Sequence, residues 1–293
     1  MTKPALLVTG ASGQLGRRVV ELLLEKGATS IIAATRDPEK LSPLARKGAI
    51  ARKADFDDPA SLEKAFHGAD RLLLISTDAI GRRVGQHKNA IDAAKKAGVK
   101  HIVYTSLINP ENSPAVFAPE HIVTEKMLKD SGIGHTILRN NIYTDMLLMK
   151  LPHVISSGTL GALAGNGGVG YVTREDCARA AAAALSASGN ESLTYEITGP
   201  AVVTYTDLAA IASAIGGKPV AYVAVAPEIL RKAFSPAYAE LLVSLEYTIA
   251  QGKLAVSTND VKKLTGRDPQ AAADFLAQHR AALLEAPQKK AVS

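Results

Sequence analysis

The sequence predicts an α/β fold, a doubly wound parallel sheet carrying a smaller C-terminal α/β lobe. Three observations point there. A glycine turn stands between an apolar run and an amphipathic helix near the N-terminus. Short apolar runs then alternate with helical segments through residue 150, and the rhythm changes from Leu151 onward. Strands alternating with helices build a parallel sheet, because a parallel pair needs a crossover that a helix supplies.

The first unit is Ala5-Leu6-Leu7 running into Val8-Thr9-Gly10-Ala11-Ser12-Gly13-Gln14-Leu15-Gly16, followed by a helix from Arg17 to Leu24. Its glycines fall at i, i+3 and i+6. Gly10 suits a sharp turn, Gly13 lets backbone N–H groups approach a pyrophosphate, and Gly16 lets the helix pack close to the strand. With Ala11, Ser12, Gln14 and Leu15 they form a loop that presents an anion to the positive end of a helix. This strand, turn and helix are the Rossmann arrangement for a dinucleotide.

The second strand, Ser30 to Ala34, ends at Thr35-Arg36-Asp37-Pro38. NAD-binding proteins place an Asp or Glu roughly 20 residues past the glycines, on the ribose 2′-hydroxyl. Here the strand end is Thr35 with Arg36 beside it. A carboxylate repels a 2′-phosphate, whereas a guanidinium grips it with two charge-assisted hydrogen bonds, so the cofactor reads as NADP(H) over NAD(H). The alternative for Arg36 is a solvated surface side chain. Asp37 either caps a helix starting at Pro38 or serves the ribose itself.

A third strand, Ala49 to Lys53, leads to Asp55-Phe56-Asp57, where an adenine would rest with Phe56 as a stacking face. Phe56 reads equally as core, and Asp57 or Asp58 as the cap of a helix from Pro59 to Phe66. Strand four, Arg71 to Ser76, brings Ile75, Ser76 and Thr77 to the nicotinamide ribose side, with turn-capping as the alternative for the hydroxyls. The helix from Arg83 to Ala97 carries His87 and Asn89, expected to face solvent. Strand five, His101 to Thr105, brings Ser106 to the carboxyl edge. A helix from Pro119 to Ser131 precedes strand six, His135 to Arg139, which ends in Asn140-Asn141-Ile142-Tyr143-Thr144-Asp145. Gly68, Gly98 and Gly132 close the three helices between these strands. Right-handed crossovers then give the order 3-2-1-4-5-6, with room for a seventh strand.

Beyond Leu151 the elements shorten. Leu160 to Gly170 is a glycine-rich loop or hairpin, read as structural because no Lys-Ser/Thr follows it. Strands at Thr194 to Ile197 and Val220 to Val223, with helices at Thr206 to Ile215, Pro227 to Phe234 and Pro236 to Gln251, are expected to cover the carboxyl edge of the sheet. An Ala-rich helix around Asp176 to Leu185 holds Cys177 as an inert core thiol. The organisation is thus a cofactor-binding core over 1–150, a lobe over 151–285 that returns strand and helix to the core, and a loose tail over 286–293. The apolar face from Leu241 to Ile249 reads as lobe core or as a homodimer surface.

Composition excludes several classes. Thirty-four Lys and Arg against 28 Asp and Glu give a net charge of +6, spread over pairs such as Arg17-Arg18, Arg82-Arg83, Lys95-Lys96 and Lys262-Lys263. These read as helix faces; Lys289-Lys290 falls in the tail. Without aromatic interleaving they do not suggest nucleic acid. One cysteine in the chain rules out an internal disulfide and suits a reducing compartment. The apolar runs are of strand length, and the N-terminus enters the first strand directly. A cytoplasmic protein without a membrane partner, signal peptide or metal is expected.

Taken together, the chain resembles the NmrA-like branch of atypical short-chain dehydrogenase/reductases. Within that branch it is most similar to type 2 NADPH-dependent quinone oxidoreductases and triphenylmethane reductases. Thr9 to Gly16, Arg36, Ala97 to Ser106, Glu120 to Glu125 and Leu138 to Tyr143 carry the resemblance. It continues through Thr173-Arg174-Glu175-Asp176, Tyr195 to Gly199 and Ser257 to Asp260, nearly the whole chain. The resemblance implies NADPH contacts from Gly10 to Gly16, Arg36, Ile75 to Thr77 and Asn140 to Asp145. This chain has Asn141-Ile142 where quinone reductase relatives tend to have Gly-Trp, a departure beside the substrate pocket. NmrA-like proteins also include redox sensors that bind NADP without turnover, and relatives that reduce triphenylmethane or azo dyes.

The ordinary short-chain dehydrogenase dyad is Tyr-x-x-x-Lys, in which the lysine and cofactor lower the tyrosine's pKa. On the matching helix this chain has His121 and Glu125 on one face, with Lys126 rotated about 100° away. Alcohol oxidation by that dyad is therefore not expected. A quinone is electron-poor enough for a positioned hydride donor to do most of the chemistry, with protons from water or a weak nearby acid. The expected groups at the acceptor are Tyr143, facing the substrate, and His121, as proton donor or hydrogen-bond partner; for His121 a structural role is the alternative.

Overall fold

The computed structural model describes residues 4–163 and 165–285. The tail expected over 286–293 lies outside the described residues. The N-terminal half runs β1 (Leu6–Val8), α1 (Gln14–Glu25), β2 (Ile31–Thr35), α2 (Ser42–Ala45), β3 (Ile50–Lys53), α3 (Pro59–Phe66), β4 (Arg71–Leu74), α4 (Arg83–Lys96), β5 (His101–Leu107), α5 (Ala118–Asp130) and β6 (Gly134–Asn140). The rest runs α6 (Leu147–Ser157), β7 (Thr159–Ala162), β8 (Gly168–Val169), α7 (Arg174–Ser186), β9 (Leu193–Ile197), β10 (Val203–Thr204), α8 (Tyr205–Gly216), β11 (Ala221–Ala224), α9 (Pro227–Ala233), α10 (Pro236–Ala250), α11 (Asp260–Thr265), α12 (Ala272–Gln278) and α13 (Arg280–Leu284).

Among the described residues the main sheet has seven strands in the order β3-β2-β1-β4-β5-β6-β9, every neighbouring pair parallel. β9 is the seventh strand that the crossover argument leaves room for. The central strands β1, β2, β4 and β5 are buried along their whole length, because helices cover both faces. On one face α1 and α7 pack side by side, with Val19, Val20, Leu23, Ala181 and Leu185 meeting Val8, Ala33 and Val103 from the sheet. On the other, α3, α4 and α5 bring Leu62, Phe66, Ala90 and Leu128 against Leu7, Leu72 and Tyr104. Cys177 is buried in the first of these layers, where burial pushes its thiol well above the ordinary range.

A second core forms the lobe, from Leu151, Val154, Leu160, Tyr171, Leu208, Ile249 and Phe275 among others. In α10, Ile249 turns into it, Val243 is buried, and Tyr247 is exposed. The chain does not leave the sheet cleanly at residue 150, since α7, β9 and α11 all return to the main layers. The glycine-rich stretch is not a hairpin: β7 pairs parallel with β11, while β8 pairs antiparallel with β10. Two expectations at the helices need correction. The helix expected at Pro38 is a single 3-10 turn, Pro38–Leu41, followed by the one-turn α2. His87, expected in solvent, is fully buried, and Asn89 is half-buried with its amide donating to the Phe56 carbonyl at 2.9 Å. Among the described residues no helix is long and apolar enough to cross a membrane.

Candidate functional site

The carboxyl ends of β1, β2, β3 and β4 enclose a cleft of about 640 Å³. In open α/β sheets this is where ligands bind. The glycine turn forms its floor. Gly10 has φ +60°, and its carbonyl accepts the Gly13 N–H at 2.9 Å to close the turn. A Cβ on Gly16 would collide with the Gly10 carbonyl, so only glycine lets α1 start this close to the strand. Ser12 Oγ and Thr35 Oγ1 lie 2.7 Å apart, tying the turn to the end of β2. α1 begins with no side-chain cap and no acidic residue in its first turn, which leaves its N–H donors and positive end open to an anion. Ala11 is buried beneath, its N–H donating to the Ala34 carbonyl; the other six residues from Gly10 to Gly16 line the cleft.

Arg36 lines the cleft at the end of β2, exposed and with no hydrogen bond or ion pair among the described residues. Asp37 caps the turn at Pro38, accepting the Glu39 N–H at 3.3 Å, and lies 3.6 Å from Lys40. The capping expectation for Asp37 therefore holds, and Arg36 is left free. Past β3, Asp55 and Phe56 line the cleft, with Phe56 also packed against the core. Asp58, and not Asp57, caps α3 by accepting from the Ala60 and Ser61 N–H groups.

The segment after β4 is held by three successive buried acceptors. The Ile75 N–H donates to Thr9 Oγ1 at 3.0 Å, Ser76 N–H to Thr105 Oγ1 at 2.9 Å, and Thr77 N–H to His87 Nε2 at 3.2 Å. Thr77 Oγ1 donates to Gln86 Oε1 at 2.7 Å, and the Gln86 amide donates to the Asp57 carboxylate at 3.1 Å. Since His87 Nε2 is an acceptor, its proton is on Nδ1, 2.9 Å from Thr124 Oγ1. Burial, then the nearby Arg83 charge, lowers its pKa to about 3.

The structure does not bring His121 to the cleft. It is buried, with Nε2 3.3 Å from the donor Arg83 Nη1 and Nδ1 2.8 Å from the Tyr104 hydroxyl. Burial and Arg83 lower its pKa to about 3, so it is a neutral, partnered core histidine and the expected proton-donor role is corrected to a structural one. Glu125 shares its buried helix face but turns to other partners, accepting from Ser106 Oγ at 2.7 Å and Arg139 Nε at 2.9 Å. Ser106 is thereby committed away from the cleft. Lys126 is exposed and pairs with Asp130 at 2.6 Å.

Tyr143 lies outside the cleft lining, half-buried against the core. Its hydroxyl accepts from Asn140 Nδ2 at 3.1 Å, and burial raises it above the ordinary phenol range. The Asn140 Oδ1 is buried without a protein partner among the described residues. Asn141 is tied elsewhere: its amide donates to the Leu254 carbonyl at 3.0 Å and its Oδ1 accepts the Ile142 N–H.

The NmrA-like family matches residues 2–264. The chain belongs to the NmrA-like family. Quinone oxidoreductase 2 of Escherichia coli strain K12 is 45% identical over 218 residues, 74% of this chain and 76% of that protein. The crystal structure of an NADPH-dependent quinone oxidoreductase from Escherichia coli, complexed with NADPH, has a TM-score of 0.89 at 38% identity, covering 93% of this chain and 99% of that one. Triphenylmethane reductase from Citrobacter sp., complexed with NADP(H), also gives 0.89, at 36% identity over 94% of this chain and 99% of its own. The NmrA-like cleft holds residues that the motif reading missed, notably Gln86, Arg82 and Arg174. Gln86 and Arg82 flank the start of α4 and Arg174 begins α7. Helix starts at the carboxyl edge of the sheet were the available signal.

Proposed function

We propose that this NmrA-like chain is an NADPH-dependent oxidoreductase of the cytoplasm that reduces a quinone or a similarly electron-poor acceptor. The observation that carries it is Arg36, exposed and unpaired among the described residues on the same cleft as the open N-terminus of α1. The turn from Gly10 to Gly16 takes the diphosphate, Arg36 the 2′-phosphate, Asp55 and Phe56 the adenosine side, and Ile75 to Thr77 the nicotinamide side. Asn140 and Tyr143 stand nearest the acceptor. NADPH, when bound, supplies the hydride.

The chain's own contribution is placement. Thr9, Thr105 and His87 fix three consecutive N–H groups, so the segment beside the reacting ring has one conformation before any ligand arrives. Tyr143 stays a neutral phenol, and solvent supplies the one proton that, with the hydride, completes a hydroquinone. Lys126 is bound to Asp130 on the surface, so no tyrosine–lysine dyad is available for alcohol oxidation.

Steady-state oxidation of NADPH with and without a simple benzoquinone tests this reading. Acceptor-dependent turnover is expected. NADPH binding without turnover across a panel of quinones and of triphenylmethane and azo dyes would instead make the protein a cofactor-binding sensor.

A further inference from the structure

Thr77 is held through both of its backbone groups, and both holds come from one buried cluster. His87 Nε2 accepts its N–H at 3.2 Å, and Arg83 Nε donates to its carbonyl at 2.7 Å. With both groups engaged, neither φ nor ψ of Thr77 can turn without breaking a hydrogen bond. Thr77 lines the cleft, whereas Arg83 is buried and does not.

An arginine is disfavoured at this position. It is the first residue of α4, where a buried guanidinium loses its hydration and meets the positive end of the helix dipole. Glu120 of α5 offsets both effects. Its Oε1 accepts the Gly81 and Arg83 N–H groups at 3.0 and 3.2 Å, capping a helix whose own N-cap, Arg82, makes no side-chain bond, and its Oε2 lies 3.7 Å from Arg83 Nη1. Nη1 also donates to His121 Nε2 at 3.3 Å. Because arginine can only donate, the His121 proton is on Nδ1, facing the Tyr104 hydroxyl at 2.8 Å. The Tyr104 and His87 rings meet edge to face at 5.4 Å, so the two arms that hold Thr77 brace each other. For stability alone, well-packed apolar side chains serve as well as a buried ion pair. What the guanidinium adds is the aim of Nε at the Thr77 carbonyl.

We propose that Arg83 is a positioning residue for hydride transfer. By fixing the Thr77 carbonyl it sets the segment from Ile75 to Thr77 against which the nicotinamide ring is oriented, and Glu120 holds Arg83 in place. The inference rests on the cofactor reading above. Arg83 acts through Thr77, and so on the orientation of the ring more than on the affinity for the cofactor.

Arg83→Met and Arg83→Lys, compared with wild type in the full chain, test it. Arg83→Met is expected to lower kcat for benzoquinone reduction about tenfold or more while Kd for NADPH stays within about threefold. Arg83→Lys keeps the cation but cannot serve Thr77 and His121 together. It recovers only part of the loss, with kcat still about threefold or more below wild type, and it carries the test if the Met variant fails to fold. The fluorescence lifetime of bound NADPH, longer when the nicotinamide ring is held, shortens toward that of the free cofactor in both variants; a merely structural role would not move it. An unchanged kcat and lifetime in the folded Lys variant, or a loss carried by Kd alone, overturns the inference while leaving the function standing. Wild-type protein that binds NADPH but reduces no acceptor overturns the function, and the lifetime comparison then decides Arg83 by itself.

Discussion

Arg36 and the buried histidines show how differently charged side chains act in this chain. Arg36 is exposed and makes no hydrogen bond or ion pair among the described residues, so its removal should leave the fold intact and cost only ligand affinity. Arg36→Ala is expected to raise Kd for NADPH by about tenfold or more and to leave NADH within twofold, as for loss of a bidentate phosphate contact. Equal losses would show that Arg36 does not reach the 2′-phosphate. His87 and His121 are the reverse case, neutral in the core with pKa values of about 3 against an ordinary 6.5. Between those values the unfolded chain binds protons that the folded chain does not. Stability therefore falls as pH drops below 6.5, by up to about 1.4 kcal/mol per pH unit for each histidine. Thermal melting between pH 6.5 and 4.5 should show a shallower fall for a His87→Gln/His121→Gln variant than for wild type. Parallel curves would mean that neither histidine is held neutral.

At the scale of elements, one arginine does for α7 what no glycine does. α7 ends at Ser186 without a left-handed residue, its C-cap Ala187 being extended. Arg71, at the start of β4, reaches its last carbonyls: Nε donates to Leu185 at 2.9 Å, Nη2 to Ala184 at 3.3 Å, and Nη1 to Gly189 just beyond at 2.8 Å. A cation at a helix C-terminus is favoured by the dipole as well as by these bonds. Arg71→Ala is expected to lower unfolding stability by about 2–4 kcal/mol in urea. NADPH affinity should stay within twofold, because Arg71 lies at the amino end of its strand and the cleft at the carboxyl end. A change in affinity would mean that α7 transmits the loss to the cleft.

Across the whole molecule, core and lobe are joined by backbone packed too closely for side chains. The Gly199 N–H donates to the Gly170 carbonyl at 3.2 Å, and a Cβ on Gly199 would collide with the Tyr171 carbonyl. Ser257 Oγ donates to the Gly199 carbonyl and Asn141 to that of Leu254, so segments far apart in the chain meet at one seam. Gly199→Ala is expected to cost about 1–3 kcal/mol of overpacking, lowering Tm by roughly 5 °C. An unchanged Tm would show that the seam is free to shift.

The sheet, its order and the phosphate turn were legible because each is local: strand-length apolar runs, glycines at fixed offsets and an arginine at a strand end act through their own neighbours in the chain. The capping role of Asp37 could be read for that reason. His121 and Glu125 could not, since helical spacing places them on one face but does not say that Tyr104 waits for one and Arg139 for the other. His87 looked solvent-facing because its helix has charged residues on either side, and only Thr77 and Thr124 closing over it make it core. The sequence by itself thus determined the fold class and the glycine turn that opens α1 at the carboxyl edge of the sheet, through periodicity and backbone sterics. Only the tertiary structure decided which polar side chains remain free to meet a ligand, because that depends on partners that long-range packing brings within 3 Å or so.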